Sequence, residues 1–114
     1  MDSLAKRTYK LLKKVSRGKI TTYKSLGDAL GTKGYRAIGQ ILRNNPYAPI
    51  VPCHRVIASN GTIGGFMGKT SGIAITKKKE LLQKEGVHFS GRRVQNFEKV
   101  FFRFNSAHLD KLTQ

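Results

Sequence analysis

Apolar residues recur at helical spacing through the first third of the chain. Leu4, Thr8, Leu11, Leu12 and Val15 share one side of a helical wheel, while Lys6, Lys10, Lys13 and Lys14 fall elsewhere on it. This pattern predicts an amphipathic helix over 4–15, capped by Asp2 or Ser3, with Gly18 as its stop. Ile20-Thr21-Thr22-Tyr23 reads as a short extended piece whose threonines can cap a second helix over 23–30. There Tyr23, Leu26 and Leu30 line one side and Gly31 ends the run. A third helix is predicted over 35–44, with Ile38, Ile41 and Leu42 inward and Arg36, Gln40 and Arg43 outward. Asn45-Pro46 ends it, because proline excludes the helical conformation from the residue before it.

Beyond that point the pattern changes period. Pro49-Ile50-Val51-Pro52 runs extended into Cys53, and Val56-Ile57-Ala58, Ser59-Asn60-Gly61 and Thr62-Ile63 read as strand, turn and returning strand of a small hairpin. The glycines from Gly64 to Gly72 mark a loop, able to serve as a lid. A helix is expected to begin near Thr76, or earlier around Ser71, to carry Leu81, Leu82 and Glu85, and to stop at Gly86. Lys77, Lys78 and Lys79 then fall in or near its first turn, where the helix dipole disfavours cations and a bound phosphate would relieve them. In the tail, 88–114, Phe97, Phe101 and Phe104 share helical spacing and are expected to dock on the body of the protein. The fold class is mainly α with a small β hairpin, in one domain spanning all 114 residues.

Charge narrows the function. There are 22 Lys plus Arg against 6 Asp plus Glu, a formal net charge of +16, whereas solubility asks a magnitude of only about 2 to 8 of a small domain. Nucleic acid is the first partner such a surface implies; a solvated charged shell, an unusual cytoplasm or an anionic membrane surface are the alternatives. No stretch approaches the roughly 20 apolar residues of a membrane span, and the first 14 residues carry lysines where a secretory signal would be apolar. A cytoplasmic setting is the default expectation. Two short helices joined by Gly31-Thr32-Lys33-Gly34, the second with a basic outer face, fit a helix-turn-helix and equally an ordinary helical hairpin. Gly39 favours the first reading, since a mid-helix glycine costs about 1 kcal/mol against alanine and signals a close approach by another backbone, protein or nucleic acid.

The candidate chemistry centres on the one cysteine. Cys53 lies in Pro52-Cys53-His54-Arg55-Val56; a free thiol has a pKa of about 8.5 and needs a base or a positive field to become nucleophilic. Adjacent side chains often point apart, so His54 would reach the thiol through a water, and a carboxylate must then hold and balance the histidine. Among six acids, Glu85 stands at the right kind of place, at the end of an apolar helical face. Inert packing of the thiol and a solvated glutamate are the plainer readings. One cysteine and the histidines at 54, 88 and 108 lack the paired spacing of a metal site, and the glycines lack the order of a phosphate loop.

These residues resemble a definite family. Gly18-Lys19-Ile20-Thr21-Thr22-Tyr23, Arg36-Ala37-Ile38-Gly39, Asn45-Pro46, Pro52-Cys53-His54-Arg55-Val56, Gly61, Gly64-Gly65-Phe66, Leu81-Leu82 and Glu85-Gly86 occur in the order found in the C-terminal, DNA-binding domain of the O6-alkylguanine-DNA alkyltransferases, across about 9–87. The resemblance implies a winged helix-turn-helix that binds double-stranded DNA in the minor groove and flips an alkylated guanine into a pocket. It assigns Cys53 as alkyl acceptor, His54 as proton acceptor through water, Glu85 as its orienting carboxylate, and Asn45 as the brace of the cysteine loop. Tyr23 would meet phosphate and the flipped base and help protonate the leaving guanine. Arg36 would fill the vacated stack, with Ala37 and Gly39 allowing close approach in the groove and Gln40, Arg43, Thr22 and Lys78 on the DNA. Val51, Phe66 and Met67 would bound the base pocket.

The same resemblance implies a single-turnover methyltransferase acting as a monomer without metal or organic cofactor; a winged-helix transcriptional regulator with an incidental thiol and a cysteine hydrolase acting on a small molecule are further readings, though neither accounts for Arg36, Asn45 and Glu85 together. Residues 1–8 are too short for the N-terminal domain that family members commonly carry, the loop is lengthened over 69–74, and Phe66 stands where an aromatic hydroxyl is common. Alkyltransferase-like proteins, which bind the lesion without an acceptor cysteine, are the alternative.

Overall fold

The computed structural model describes residues 3–48, 50–66, 69 and 71–104. Three helices come first: α1 (Leu4–Leu12), α2 (Tyr23–Leu30) and α3 (Tyr35–Arg43). Ser3 caps α1, its side chain accepting from the Lys6 amide, and Thr22 caps α2 in the same way from Ser25. Gly31 ends α2 at φ 71°, a left-handed conformation that costs glycine little. Helix α1 is shorter than its periodicity predicts, because Lys14 and Val15 donate to carbonyls three residues back, at Leu11 and Leu12, and tighten the chain out of the α conformation. Val15 is nonetheless fully buried, so the tightened turn keeps the apolar stripe facing inward.

The helices close on one cluster. Leu11, Leu12 and Val15 meet Leu26, Leu30, Ile38 and Leu42, with Val51 and Val56 completing the set. A fully buried residue of this kind contributes about 1.5–3 kcal/mol, so the stripe of each helix suffices to fix its orientation. Two side chains bolt the helices together: Arg7 Nη2 donates to the Leu30 carbonyl at 3.1 Å and Tyr9 Oη to that of Ile41 at 2.9 Å.

The small sheets depart from the sequence-based expectation. Strand β1 (Thr21–Thr22) pairs in parallel with β2 (Val56–Ile57), so the segment after the thiol joins the N-terminal half instead of forming a ladder with its own return. The turn of the expected hairpin does close, with Ala58 N donating to Thr62 O and Gly61 N to Ala58 O, both at 3.0 Å. The return pairs with the tail: Ile63 N donates to Arg92 O at 2.7 Å and Thr62 bridges Arg93. A second pair, β3 (Phe89–Ser90) with β4 (Arg93–Val94), is antiparallel.

Helix α4 (Ile73–Lys84) starts before Thr76, which moves Lys77, Lys78 and Lys79 out of its first turn and removes the dipole conflict. The tail docks as expected but not as one helix. After the four-residue α5 (Phe97–Val100), Phe101 turns extended and bridges Ile20, while Ile20 N donates to Val100 O and Phe102 N to Ile20 O, each at 2.8 Å. Phe97 and Phe101 stack with ring centroids 5.0 Å apart over a second cluster of Ile20, Ile57, Leu82, Val87 and Val94. Phe89, Phe97, Val100 and Phe101 of the tail therefore pack against the core. Replacing Phe101 with Ala is expected to cost about 1–3 kcal/mol in urea unfolding; an unchanged midpoint would show the tail to be only loosely laid on the body.

Candidate active site

Pro52 leads into a single 3-10 turn, Cys53–Arg55, that lifts the thiol out of the core while leaving its neighbours inside. Cys53 is half-buried and His54 buried. The entry to this turn is fixed from α3: Asn45 Nδ2 donates to the Val51 carbonyl at 2.9 Å, and the Cys53 amide donates to the same carbonyl. Asn45 thus joins the end of α3 to the thiol segment.

Glu85, at the C-terminal cap of α4, collects the charged side chains of the turn. Its Oε2 lies 3.0 Å from His54 Nε2 and accepts from Arg55 Nη2 at 2.8 Å, while Oε1 accepts from Arg55 Nε at 2.9 Å. Burial by itself would raise the carboxyl pKa, but the bonds from Arg55 and His54 outweigh it and hold the group at about 2. An ionised Glu85 can only accept, so His54 Nε2 carries the proton and Nδ1 holds the lone pair. Burial, with the nearby charges of Arg55 and Lys78, lowers the His54 pKa against the pull of Glu85 and keeps the ring neutral. A neutral imidazole of fixed tautomer beside an ionised carboxylate is chemically a proton acceptor.

A cavity of about 340 Å³ opens at the sulfur. Cys53 and Tyr23 line it together with Arg36, Gly39, Gln40, Leu42 and Arg43 from α3 and with Gly65, Phe66 and Lys69 from the loop between β2 and α4. Burial and then the Cys53 charge raise the Tyr23 pKa, so its hydroxyl is a proton donor at neutral pH. Apart from its chain neighbours and the backbone of its own helix, no atom of the described residues lies within 4 Å of where a Cβ on Gly39 would stand. The close approach that its presence in a helix signals is therefore not made by any other described part of this chain. Arg36, Ala37, Gln40 and Arg43 form an exposed face beside the cavity.

Three sequence assignments need correction, and one lies out of reach. Lys78 cannot lie on DNA: it is fully buried, and its Nζ donates to the carbonyls of Val56, Ile63 and Gly65 at 2.7, 2.6 and 2.9 Å. Desolvation, opposed by the Cys53 charge, brings its pKa down to about 7. Its place within the run of three lysines hid this, because a three-carbonyl nest exists only once the loop folds over α4. Thr22 is buried too, and its hydroxyl is engaged as the α2 cap, not directed at a phosphate. Val51 does not line the cavity; it is a core residue whose amide donates to Tyr47 and whose carbonyl already accepts twice. Met67 falls outside the described residues. Arg55 is the functional residue that sequence reasoning passed over; its position beside His54 was the available signal. Among the described residues no cluster of His, Cys, Asp and Glu can hold a metal ion, and no helix is long and apolar enough to cross a membrane.

Fold and site together define a helical DNA-binding domain that presents a cysteine in a basic cleft. The family model of the 6-O-methylguanine DNA methyltransferase DNA-binding domain matches residues 3–87, and the chain belongs to that family. It is 42% identical over 92 residues to a methylated-DNA--protein-cysteine methyltransferase of Candida glabrata, covering 80% of this chain and 42% of that protein. The structure of the O6-methylguanine-DNA methyltransferase of Pyrococcus kodakaraensis KOD1 matches with a TM-score of 0.63 at 44% identity, over 76% of this chain and 48% of that one. The chain thus spans about half the length of these relatives. Atl1 of S. pombe, solved with damaged DNA containing O6-carboxymethylguanine, matches with a TM-score of 0.72 at 25% identity over 91% of this chain and 98% of its own.

Two outcomes follow from this geometry. Since Glu85 titrates at about 2 in the fold against an ordinary value of 4.5, the unfolded chain binds its proton first as pH falls. Stability is then fully present above about pH 4.5 and lost progressively toward pH 2, by on the order of 3 kcal/mol. Glu85→Gln should remove that acid-side slope in urea titrations at several pH values. Lys78→Ala leaves three carbonyls unpaired and should cost about 3 kcal/mol or more, without changing the salt slope of DNA binding, whereas Arg43→Ala should reduce that slope by about one. A fall in slope with Lys78→Ala would return that lysine to the DNA surface.

Proposed function

We propose that this protein repairs DNA by irreversible transfer of an alkyl group from O6-alkylguanine in duplex DNA to its own Cys53, after the base is flipped into the 340 Å³ cavity. The observation that carries this reading is a thiol that lines one cleft with the basic face of α3 and is followed in the chain by His54 and Arg55, both bound to Glu85. In the step itself, the Cys53 proton passes to His54, directly or through water, and the sulfur attacks the carbon bound to O6 in line with the departing oxygen. A sulfur–carbon bond forms, the carbon–oxygen bond breaks, and its electron pair stays on guanine, which takes up a proton with help from the Tyr23 hydroxyl. Because a thioether has no route back to thiol here, each molecule reacts once.

The α3 residues divide by role. Arg36, exposed at the rim of the cavity, fills the place the base leaves, and Ala37 and Gly39 let the helix approach the minor groove. Gln40 and Arg43 hold the backbone, Asn45 braces the thiol loop, and Phe66 covers the base. The active species is a monomer.

Lesion binding without transfer is the second reading, favoured by the full-length likeness to Atl1. The thiol separates the two. After incubation with a duplex containing O6-methylguanine, the Cys53 peptide should gain one methyl mass, at most one per chain; full binding with an unmodified peptide would leave only recognition. Cys53→Ser should abolish transfer and keep binding within about twofold, whereas Arg36→Ala should slow capture of a paired lesion far more than reaction with the free alkylated base.

A further inference from the structure

The cavity at Cys53 is lined by three cations, Arg36, Arg43 and Lys69, and by no carboxylate. Two of the three have an evident partner on the proposed reading, since they project from the α3 face along which the duplex would run. Lys69 comes instead from the loop between β2 and α4. Reciprocal backbone bonds fix its place, Phe66 N donating to Lys69 O at 2.8 Å and Lys69 N to Phe66 O at 2.9 Å, and both residues line the cavity. Among the described ion pairs, formed by Lys24, His54, Arg55 and Arg103, none engages Lys69. Among the uncharged lining residues, Phe66 and Leu42 have no side-chain donor for an anion, while Tyr23 and Gln40 offer neutral donors only.

During transfer the substituent on O6 must point at the sulfur, inside this cavity. A substituent that itself carries a negative charge would be repelled by the thiolate it approaches, and the repulsion grows as water leaves the cleft. A cation that lines the cavity without belonging to the α3 face offsets it. The geometry points to Lys69 as a specificity-determining residue that favours O6-alkylguanines whose substituent ends in a carboxylate, carboxymethyl being the smallest. This inference rests on the alkyl-transfer reading. The step balances as for methyl: the sulfur bonds to the methylene carbon, the carbon–oxygen bond breaks toward guanine, the thiol proton ends on guanine, and the product is S-carboxymethylcysteine at position 53.

The test compares three duplexes of one sequence at one salt concentration, carrying O6-methylguanine, O6-carboxymethylguanine or O6-carbamoylmethylguanine, the last an uncharged isostere of the second. Single-turnover rates of Cys53 modification are read by mass spectrometry for the full chain, Lys69→Gln and Lys69→Glu. The unsubstituted chain should take carboxymethyl over carbamoylmethyl by roughly tenfold, the worth of one charge-assisted hydrogen bond. Lys69→Gln should bring that ratio to about one and Lys69→Glu should invert it, whatever either does to the methyl rate, and an unchanged urea-unfolding midpoint reports an intact fold. Equal rates for the two isosteres in the unsubstituted chain would overturn the inference, as would a Lys69→Gln variant slowed equally on all three duplexes, which would make Lys69 a contact to the DNA backbone. If O6-methylguanine itself left Cys53 unmodified, the failure would lie in the transfer reading, and the selectivity would fall with it.

Discussion

Everything that can act chemically in this domain hangs on the carboxylate of Glu85, which three donors from two adjacent residues reach at 2.8–3.0 Å. The same guanidinium extends to the Val15 carbonyl at 2.8 Å, and Arg17 Nη2 reaches the Lys84 carbonyl at 3.1 Å. Gly18, at φ +86°, sits so close to the Glu85 carbonyl that a Cβ would stand 3.1 Å from it. The end of the first helical segment, the thiol turn and the end of α4 are thereby drawn to one point. Breaking a buried pair of this kind strands a charge and costs about 3–5 kcal/mol, so the network must be kept whole if the turn is to hold its shape. The relay is rigid because it is also a structural clamp.

Lys78 performs a similar service from the other side of the thiol. Its ammonium ties β2, the returning segment at Ile63 and the loop at Gly65 to α4 through carbonyls alone. The loop that closes the cavity is thus anchored at its base by a cation with no carboxylate partner, which is tolerable only because three dipoles converge on it. Arg55 and Lys78 both lower the basicity of His54, whereas Glu85 raises it. Burial, the largest influence, acts with the two cations and lowers the His54 pKa, so the imidazole is held neutral and able to accept a proton.

The scarcity of acid acquires meaning in the same light. Of the four acidic residues among those described, Asp28, Glu85 and Glu98 are ion-paired with Lys24, Arg55 and Arg103. Most of the remaining cations have no internal anion to meet, and the surface of α3 around the cavity is cationic by default. That excess would strain the compact state through self-repulsion and suits a polyanionic partner. The tail adds packing to this design through Phe97 and Phe101, covering the second cluster where Ile20 would otherwise face solvent.

By itself the sequence determined the helices, their inward stripes and the chemistry on offer. Helical spacing of Leu4 to Val15, Leu26 to Leu30 and Ile38 to Leu42 is a local property, and it matched the buried faces because amphipathic periodicity needs no distant partner. The Pro-Cys-His-Arg run and the distant glutamate were legible for the same reason, as rare residues in a rare order. What only the tertiary structure decided were the pairings between segments far apart in the chain: β2 with β1, the return at Thr62 and Ile63 with Arg92 and Arg93, and Phe101 with Ile20. Two-residue strands carry too little periodicity to name their partners. The burial of Lys78 was invisible for a related reason, since a lysine is driven inward not by its own chemistry but by three carbonyls that meet only when the loop, the strand and α4 are assembled.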